Sequence, residues 1–172
     1  MDVMKALLKR RSVRRFLDTK VEKDKINKML EAAMASPSAC NAQPWEFLVI
    51  EDEGMLGRVR EIMPYGKFRA PLAILVCGNL ARKTTVYEDS EDFWIQDTAA
   101  AMHGLMLEAV ELGLASCWLG ILPHKSLVKD TIDLFDLPEG VIPMGMAYIG
   151  YPEKEPVERT QYNEEFVHWE RY

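Results

Sequence analysis

The stretch from Trp94 to Leu112 constrains this chain more than any other segment. Its apolar residues (Ala99, Ala100, Ala101, Met102, Leu105, Met106, Leu107, Ala109 and Val110) cover most of a helical circumference instead of one stripe. A helix of that kind cannot rest on a wet surface. It predicts a central helix, buried in a core or shared in part with a subunit interface. Gly113 supplies its stop. The whole chain has 172 residues, the length of one domain. A domain of this size buries roughly 70% of its unfolded surface, enough to enclose such a helix. With 48% hydrophobic and 28% charged residues, the composition is that of a globular protein.

The rest of the pattern alternates between helix and strand. Asp2 caps a helix running to Lys9, with Val3, Ala6 and Leu7 on one face. A second helix is predicted from about Glu22 to Ala35, with Ile26, Met29, Leu30 and Ala33 at helical spacing. Pro and Ser mark a loop from Ser36 to Pro44. Phe47 to Ile50 reads as a short strand, Glu53 to Met63 as a surface helix, and Leu72 to Cys77 as a buried strand. The acidic stretch from Asn79 to Asp92 suits a mobile lid. Strands are expected over Ser116–Leu119 and Pro143–Ile149, with a helix over Lys125–Phe135 between them. This alternation predicts an α/β or α+β sheet protein. From Gly150 the chain turns Pro-rich and charged but carries Tyr151, Tyr162, Phe166, Trp169 and Tyr172. Such a tail is too apolar to drift in water and is expected to wrap a surface, that of a partner subunit or of its own body.

Charge excludes some functions. With 21 Lys and Arg against 27 Asp and Glu the net charge is −6, which argues against binding bare nucleic acid. No apolar run is long enough to span a bilayer, and Met-Asp-Val-Met-Lys lacks the apolar core of a secretion signal. Cys40, Cys77 and Cys117 are scattered and odd in number, unlike a disulfide framework or a zinc site. The expected compartment is a reducing cytoplasm. The opening segment is nonetheless basic, with Lys5, Lys9, Arg10, Arg11, Arg14 and Arg15.

Three segments carry candidate chemistry. In Arg10-Arg11-Ser12-Val13-Arg14, guanidinium forks and a hydroxyl suit one phosphate dianion. The same cations also complement the negative end of the first helix. In Pro37-Ser38-Ala39-Cys40-Asn41-Ala42-Gln43-Pro44-Trp45, alternate Ser, Asn and Gln side chains in an extended loop suit the N–H and C=O edge of a flat heterocycle. A plain connector, with Trp45 in the core, reads as well. Gly120, closing Gly113–Gly120, permits close backbone approach to a ligand or simply ends a strand. His103 is expected as a satisfied buried histidine, and His124 and His168 receive no role. No Ser-His-Asp or Cys-His constellation stands at convincing spacing. Tyr65, Phe68, Tyr87, Phe93 and Trp94 are candidates for stacking a planar substrate or for packing a core, and Gln96 for a contact near the site.

Taken in order, RRSVRRF, SPSACNAQPWEF, FWIQDTAAAMHGLMLEAVELGLASCWLG and IPMGMAYIGYPEKE resemble the FMN-dependent nitroreductase family, in its short members. The similarity runs from Lys9 to Tyr172. It implies an α+β fold with a central mixed, mainly antiparallel sheet flanked by helices. Residues 1–172 would form one FMN-binding domain, with 150–172 as a tail extending over the partner subunit. The resemblance implies that Arg10, Arg11 and Ser12 hold the FMN phosphate and ribityl chain, and that Arg14 lies near the flavin N1–C2=O edge. It implies that Pro37, Ser38, Ala39 and Asn41, assisted by Gln43, cover the ring from the other subunit. Family members often carry serine where this chain has Ala39, so contact there would be through the backbone. Leu119 and Gly120 match the stretch passing flavin N5, and Arg159 matches a basic residue closing the phosphate site.

The implied activity is ping-pong hydride transfer. NADH or NADPH delivers hydride to FMN N5, and a nitroaromatic, quinone-like or related acceptor then takes the electrons. The implied assembly is a homodimer with FMN at the interface. A flavin reductase, enone reductase or reductive dehalogenase on the same scaffold remains open, as does a non-catalytic flavin-binding or sensing protein.

Overall fold

A computed structural model describes residues 2–86 and 91–172; Tyr87, a candidate stacking residue, lies outside the described residues, as do the neighbouring positions 88–90 of the expected lid. The helices are α1 (Val3–Lys9), α2 (Lys23–Met34), α3 (Glu53–Ile62), α4 (Phe93–Glu111) and α5 (Lys125–Phe135). The strands are β1 (Trp45–Ile50), β2 (Leu72–Asn79), β3 (Ala115–Gly120) and β4 (Val141–Gly150). They form one sheet in the order β1-β2-β4-β3. Every strand pair is antiparallel, and a parallel pairing appears in the isolated bridge between Ser12 and Ser116.

The side-chain period of two divides β2 between two cores. Leu72, Ile74 and Val76 face α2 and α4, meeting Ile26, Met29, Ala33, Leu105 and Met106. Ala73, Leu75 and Cys77 face α3 and α5, meeting Leu56, Val59 and Leu127. Helices on both faces explain why β2 reads as a continuous apolar run although its neighbours are antiparallel. β4 is likewise buried, being paired on both edges. At Gly78 the ring of Trp94 lies on the strand, and a Cβ there would stand 2.1 Å from Trp94 Cε3. Glycine is what admits that ring.

α4 holds the central place its composition requires. Trp94, Ala101, Met102, Leu105, Met106 and Ala109 are buried in the core. Its other face is half-open, and there the expectation for His103 fails: this residue is exposed. α4 ends as expected at Gly113 (φ +74°), where Leu114 N donates to Ala109 O at 2.8 Å.

α1 is capped by Asp2, whose carboxylate accepts from Met4 N at 2.8 Å. Only Ala6 of its expected apolar face is buried; Val3 and Leu7 are exposed. The following segment is stitched to the sheet edge, with Val13 N donating to Ser116 O at 3.0 Å and Leu17 N to Tyr151 O at 2.9 Å. The described start of the acidic stretch carries a 3-10 turn over Leu80–Arg82. Arg82 pairs with Glu46 of β1, and Thr84 is buried. No helix among the described residues is long and apolar enough to cross a membrane.

Candidate functional site

The basic segment gathers where α1 ends. Arg159, from the tail, is brought there by its own N–H, which donates to Leu8 O at 3.2 Å. Partial burial, then the guanidiniums of Arg159 and Arg10, hold Arg11 below the usual arginine value. Three cations therefore sit close enough to repel one another. Arg10 also faces α4: although His103 is exposed, the part of its ring turned from water and, after that, the Arg10 charge hold it below the usual histidine value. Arg14 and Arg10 both reach the neighbourhood of Cys117 in β3, where burial pushes the thiol up and the two cations oppose it. Arg14 Nη1 donates to Ser12 O at 3.5 Å. Among the described residues, no acid lies within ion-pair distance of Arg10, Arg14 or Arg159, although Glu111 and Glu155 line the cleft beside Arg11 and Glu153 the one beside Arg14. Lys9, by contrast, lies 3.8 Å from Glu155. Ser116, opposite Ser12 in the bridge, is 1% exposed, and its hydroxyl has no partner among the described residues.

The loop before β1 is not extended as the sequence suggested. Ala39–Asn41 form a 3-10 turn, and Cys40 (φ 52°), Asn41 (φ 54°) and Gln43 (φ 49°) are left-handed. This folding still collects the polar groups. Gln43 N donates to Ser38 Oγ at 3.0 Å, and Gln43 Nε2 to Asn41 Oδ1 at 3.1 Å. Pro37, Cys40, Asn41 and Gln43 are exposed, whereas Trp45 is core, as the plainer reading had it.

α4 holds this loop from below. Ala39 N donates to Asp97 Oδ1 at 2.9 Å, and Ser36 Oγ to Ala100 O at 3.2 Å. Asp97 is 6% exposed, and its Oδ2 has no partner among the described residues. Burial pushes its carboxyl above the usual aspartate value, and the Ala39 N–H draws it partly back. Residue-type reasoning passed over Asp97. The signal was present: it is the only Asp, Glu, Lys or Arg from Phe93 to Leu107 of a largely apolar helix.

Gly120 ends β3 about 13 Å beyond Ser116. It is exposed, and a Cβ built there would meet nothing within 4 Å. Leu119 turns its side chain into the core beside α3 and α5. Phe68 packs edge-on to Tyr148 and Trp94 is core, whereas Tyr65, Phe93 and Gln96 are exposed. The structure thus joins Arg10, Arg11, Ser12, Arg14 and Arg159 at the β3 edge. It gathers Pro37 to Gln43 separately, over the N-terminal half of α4.

The sequence model of the Nitroreductase family matches residues 7–65 and 55–151. A Methanothermobacter thermautotrophicus protein named "Putative NADH dehydrogenase/NAD(P)H nitroreductase" is 37% identical over 174 residues, covering all of this chain and 88% of that protein. The crystal structure of a nitroreductase family protein from Clostridium difficile 630 superposes with a TM-score of 0.87 at 31% identity, covering 100% of both chains. An FMN-dependent nitroreductase from Clostridium difficile R20291 also superposes with a TM-score of 0.87, at 28% identity, covering 98% of this chain and 99% of that one.

Proposed function

The chain belongs to the nitroreductase family, and from that premise we propose that it is an FMN-dependent oxidoreductase that carries electrons from NADH or NADPH to nitroaromatic, quinone-like or related acceptors. In this reading residues 1–172 act as one FMN-binding domain of a homodimer. Three free thiols suit a reducing compartment, and we place the protein in the cytoplasm.

The convergence of Arg10, Arg11, Ser12, Arg14 and Arg159, which outnumber the Glu111, Glu153 and Glu155 carboxylates lining the adjoining clefts, carries this reading. Arg11, held below its usual value by partial burial and by the guanidiniums of Arg159 and Arg10, gains from a dianion beside it. A phosphate group fits that donor set. Arg10, Arg11 and Arg159 would grip it through forked N–H pairs, with Ser12 adding a hydroxyl. Arg14 would place a cation toward the pyrimidine edge of the ring and favour negative charge there. Asn41, Gln43 and the backbone of Ser38–Ala39 would line a face of the ring, and the open space at Gly120 leaves its strand end accessible. When bound, FMN supplies two-electron carrier chemistry between nicotinamide nucleotide and acceptor, so the protein needs no acid or base of its own.

Dimerisation agrees with what one chain offers. The cleft lined by Arg11 has a volume of about 140 Å³ and that lined by Arg14 about 190 Å³. Both fall below the roughly 300–1,000 Å³ of a cofactor pocket. A second chain bringing its 37–43 loop and its tail would complete the enclosure.

Flavin uptake tests the assignment. The purified protein should be yellow, or become so on incubation with FMN, and should bleach anaerobically with NADH or NADPH. Arg10→Ala and Ser12→Ala should each weaken FMN binding about tenfold or more, since each removes a charge-assisted hydrogen bond, while the far-ultraviolet circular dichroism stays unchanged. Protein that stays colourless with FMN would refute the reading, and undiminished affinity in both variants would refute the phosphate assignment.

A further inference from the structure

We infer that Asp97 is a positioning residue for the 38–43 loop: from within α4 its carboxylate fixes the Ala39 N–H and thereby sets where Asn41 and Gln43 stand against the flavin ring. This rests on the flavin reading above and adds a residue that touches neither cofactor nor substrate.

Taking a carboxylate out of water is unfavourable unless it is paired or richly hydrogen-bonded. Asp97 is 6% exposed, has no cation beside it among the described residues, and leaves Oδ2 without a partner. Among the described residues its hydrogen bond goes to the loop, Ala39 N donating to Oδ1 at 2.9 Å. An apolar residue would be cheaper to bury at this position. What Asp97 adds is a charge-assisted grip on one N–H of the loop.

The loop needs such a grip. Cys40, Asn41 and Gln43 all adopt left-handed backbone without being glycine. Conformations of that kind persist only where the surroundings over-determine them. Two side-chain anchors tie this segment to α4, the Asp97 bond to Ala39 and the Ser36 bond to Ala100 O, one helical turn apart. Ser38 Oγ closes the loop internally on Gln43 N. Of the two external anchors, the Asp97 bond lies nearer the residues expected to meet the ring, immediately before Cys40 and Asn41.

The bond can be cut from both ends. Asp97→Ala removes the acceptor. Ala39→Pro removes the donor where the backbone tolerates proline, since Ser38 is extended (φ −140°, ψ 154°) and Ala39 opens the 3-10 turn. Asp97→Asn keeps an acceptor oxygen. FMN dissociation constants of the full-length variants should rise about tenfold or more for Asp97→Ala, and by less than about threefold for Asp97→Asn. In the Ala39→Pro background, Asp97→Ala should cost almost nothing further, because both changes cut one bond. Hydrogen exchange across residues 36–44 of the FMN-free protein should quicken in Asp97→Ala and return toward wild type in Asp97→Asn. Fully additive losses, or FMN affinity and exchange both at wild-type values in Asp97→Ala, would overturn the proposal. Wild-type protein that takes up no FMN would overturn the flavin reading, and the exchange data would then decide the grip on the loop alone.

Discussion

Two irregular segments of this chain behave in opposite ways. Residues 10–17 have little regular structure, yet they are tied to Ser116 and Tyr151 through their backbone, and Phe16 is 8% exposed in the core. The tail after Arg159 is as irregular and far richer in aromatics. Its backbone bonds are local among the described residues, and Tyr162, Phe166 and Trp169 are 75–83% exposed. Aromatic side chains held in water are a liability for an isolated domain, and several of them exposed along one segment suit an interaction surface. The first segment finds its partner within its own chain. The second does not, and this contrast is the physical case for a second copy in the proposed assembly.

The largest effect should come from breaking the tail. Phe166→Ala with Trp169→Ala removes two aromatic anchors, each worth at least about 2 kcal/mol if buried in a partner. The dimer dissociation constant should rise by roughly three orders of magnitude, read by sedimentation velocity at micromolar protein. An unchanged sedimentation coefficient would mean that these aromatics do not hold two copies together. The body should respond differently. Leu105, fully buried on α4 between α2 and the sheet, should cost about 2–5 kcal/mol on truncation to alanine. That loss, from urea unfolding, should be the same at every protein concentration, whereas the tail variant's loss should depend on concentration.

A smaller, sharper experiment asks which chain supplies each part of the site. Arg10→Ala and Asn41→Asp homodimers should both bind FMN weakly. If the loop covers the partner's cofactor, mixing the two variants creates hybrids with one site holding wild-type Arg10 and wild-type Asn41. About half the flavin capacity of those hybrids should return. No recovery would put both residues of a site on one chain.

The sequence carried most of the fold because the two periodicities were clean. α5 spans the expected Lys125–Phe135, and α2 lies within the expected Glu22–Ala35. Strand ends were less legible, since pairing partners decide them. β1 starts at Trp45 instead of Phe47 because Trp45 pairs with Gly78, and β4 reaches Val141 because that residue pairs with Asn79. His103 was misjudged for a related reason. A helix apolar all round does not declare which face turns from its own core, and position 103 falls on the open one. The 3-10 turn at Ala39–Asn41 was unreadable because left-handed Cys40 and Gln43 run against local preference, and the contact from Asp97 that meets this loop comes from a distant helix. The arginine cluster was visible as residue types, but that Arg159 joins it depends on the backbone bond to Leu8.

Where body passes into tail, Tyr151 offers the mildest test of the contrast. Its hydroxyl donates to Glu22 (2.7 Å to Oε2) and accepts from Lys25 Nζ at 2.7 Å, while Lys25 also reaches Leu112 O at 3.1 Å. The Tyr151 hydrogen bond, ahead of Glu22's own backbone N–H and of Lys25, holds the Glu22 carboxyl below its usual value. A carboxyl depressed in the folded state stabilises the fold above its unfolded pKa, and this is lost as pH falls through the folded one. Lys25 works in the opposite sense. Tyr151 chiefly raises its pKa against the cost of burial, so its contribution is present below the unfolded lysine value and lost as pH rises through the folded one. Tyr151→Phe should therefore destabilise the body by less than Leu105→Ala, by a steady amount near neutral pH. The gap from wild type should narrow below the ordinary glutamate range and again above the ordinary lysine range. Urea unfolding at pH 3, 7 and 11 measures it. A gap unchanged from pH 7 to 3 would mean that Tyr151 does not hold Glu22. The sedimentation coefficient of Tyr151→Phe at neutral pH should match wild type, because these bonds secure the end of β4 to α2 and leave the aromatic tail untouched.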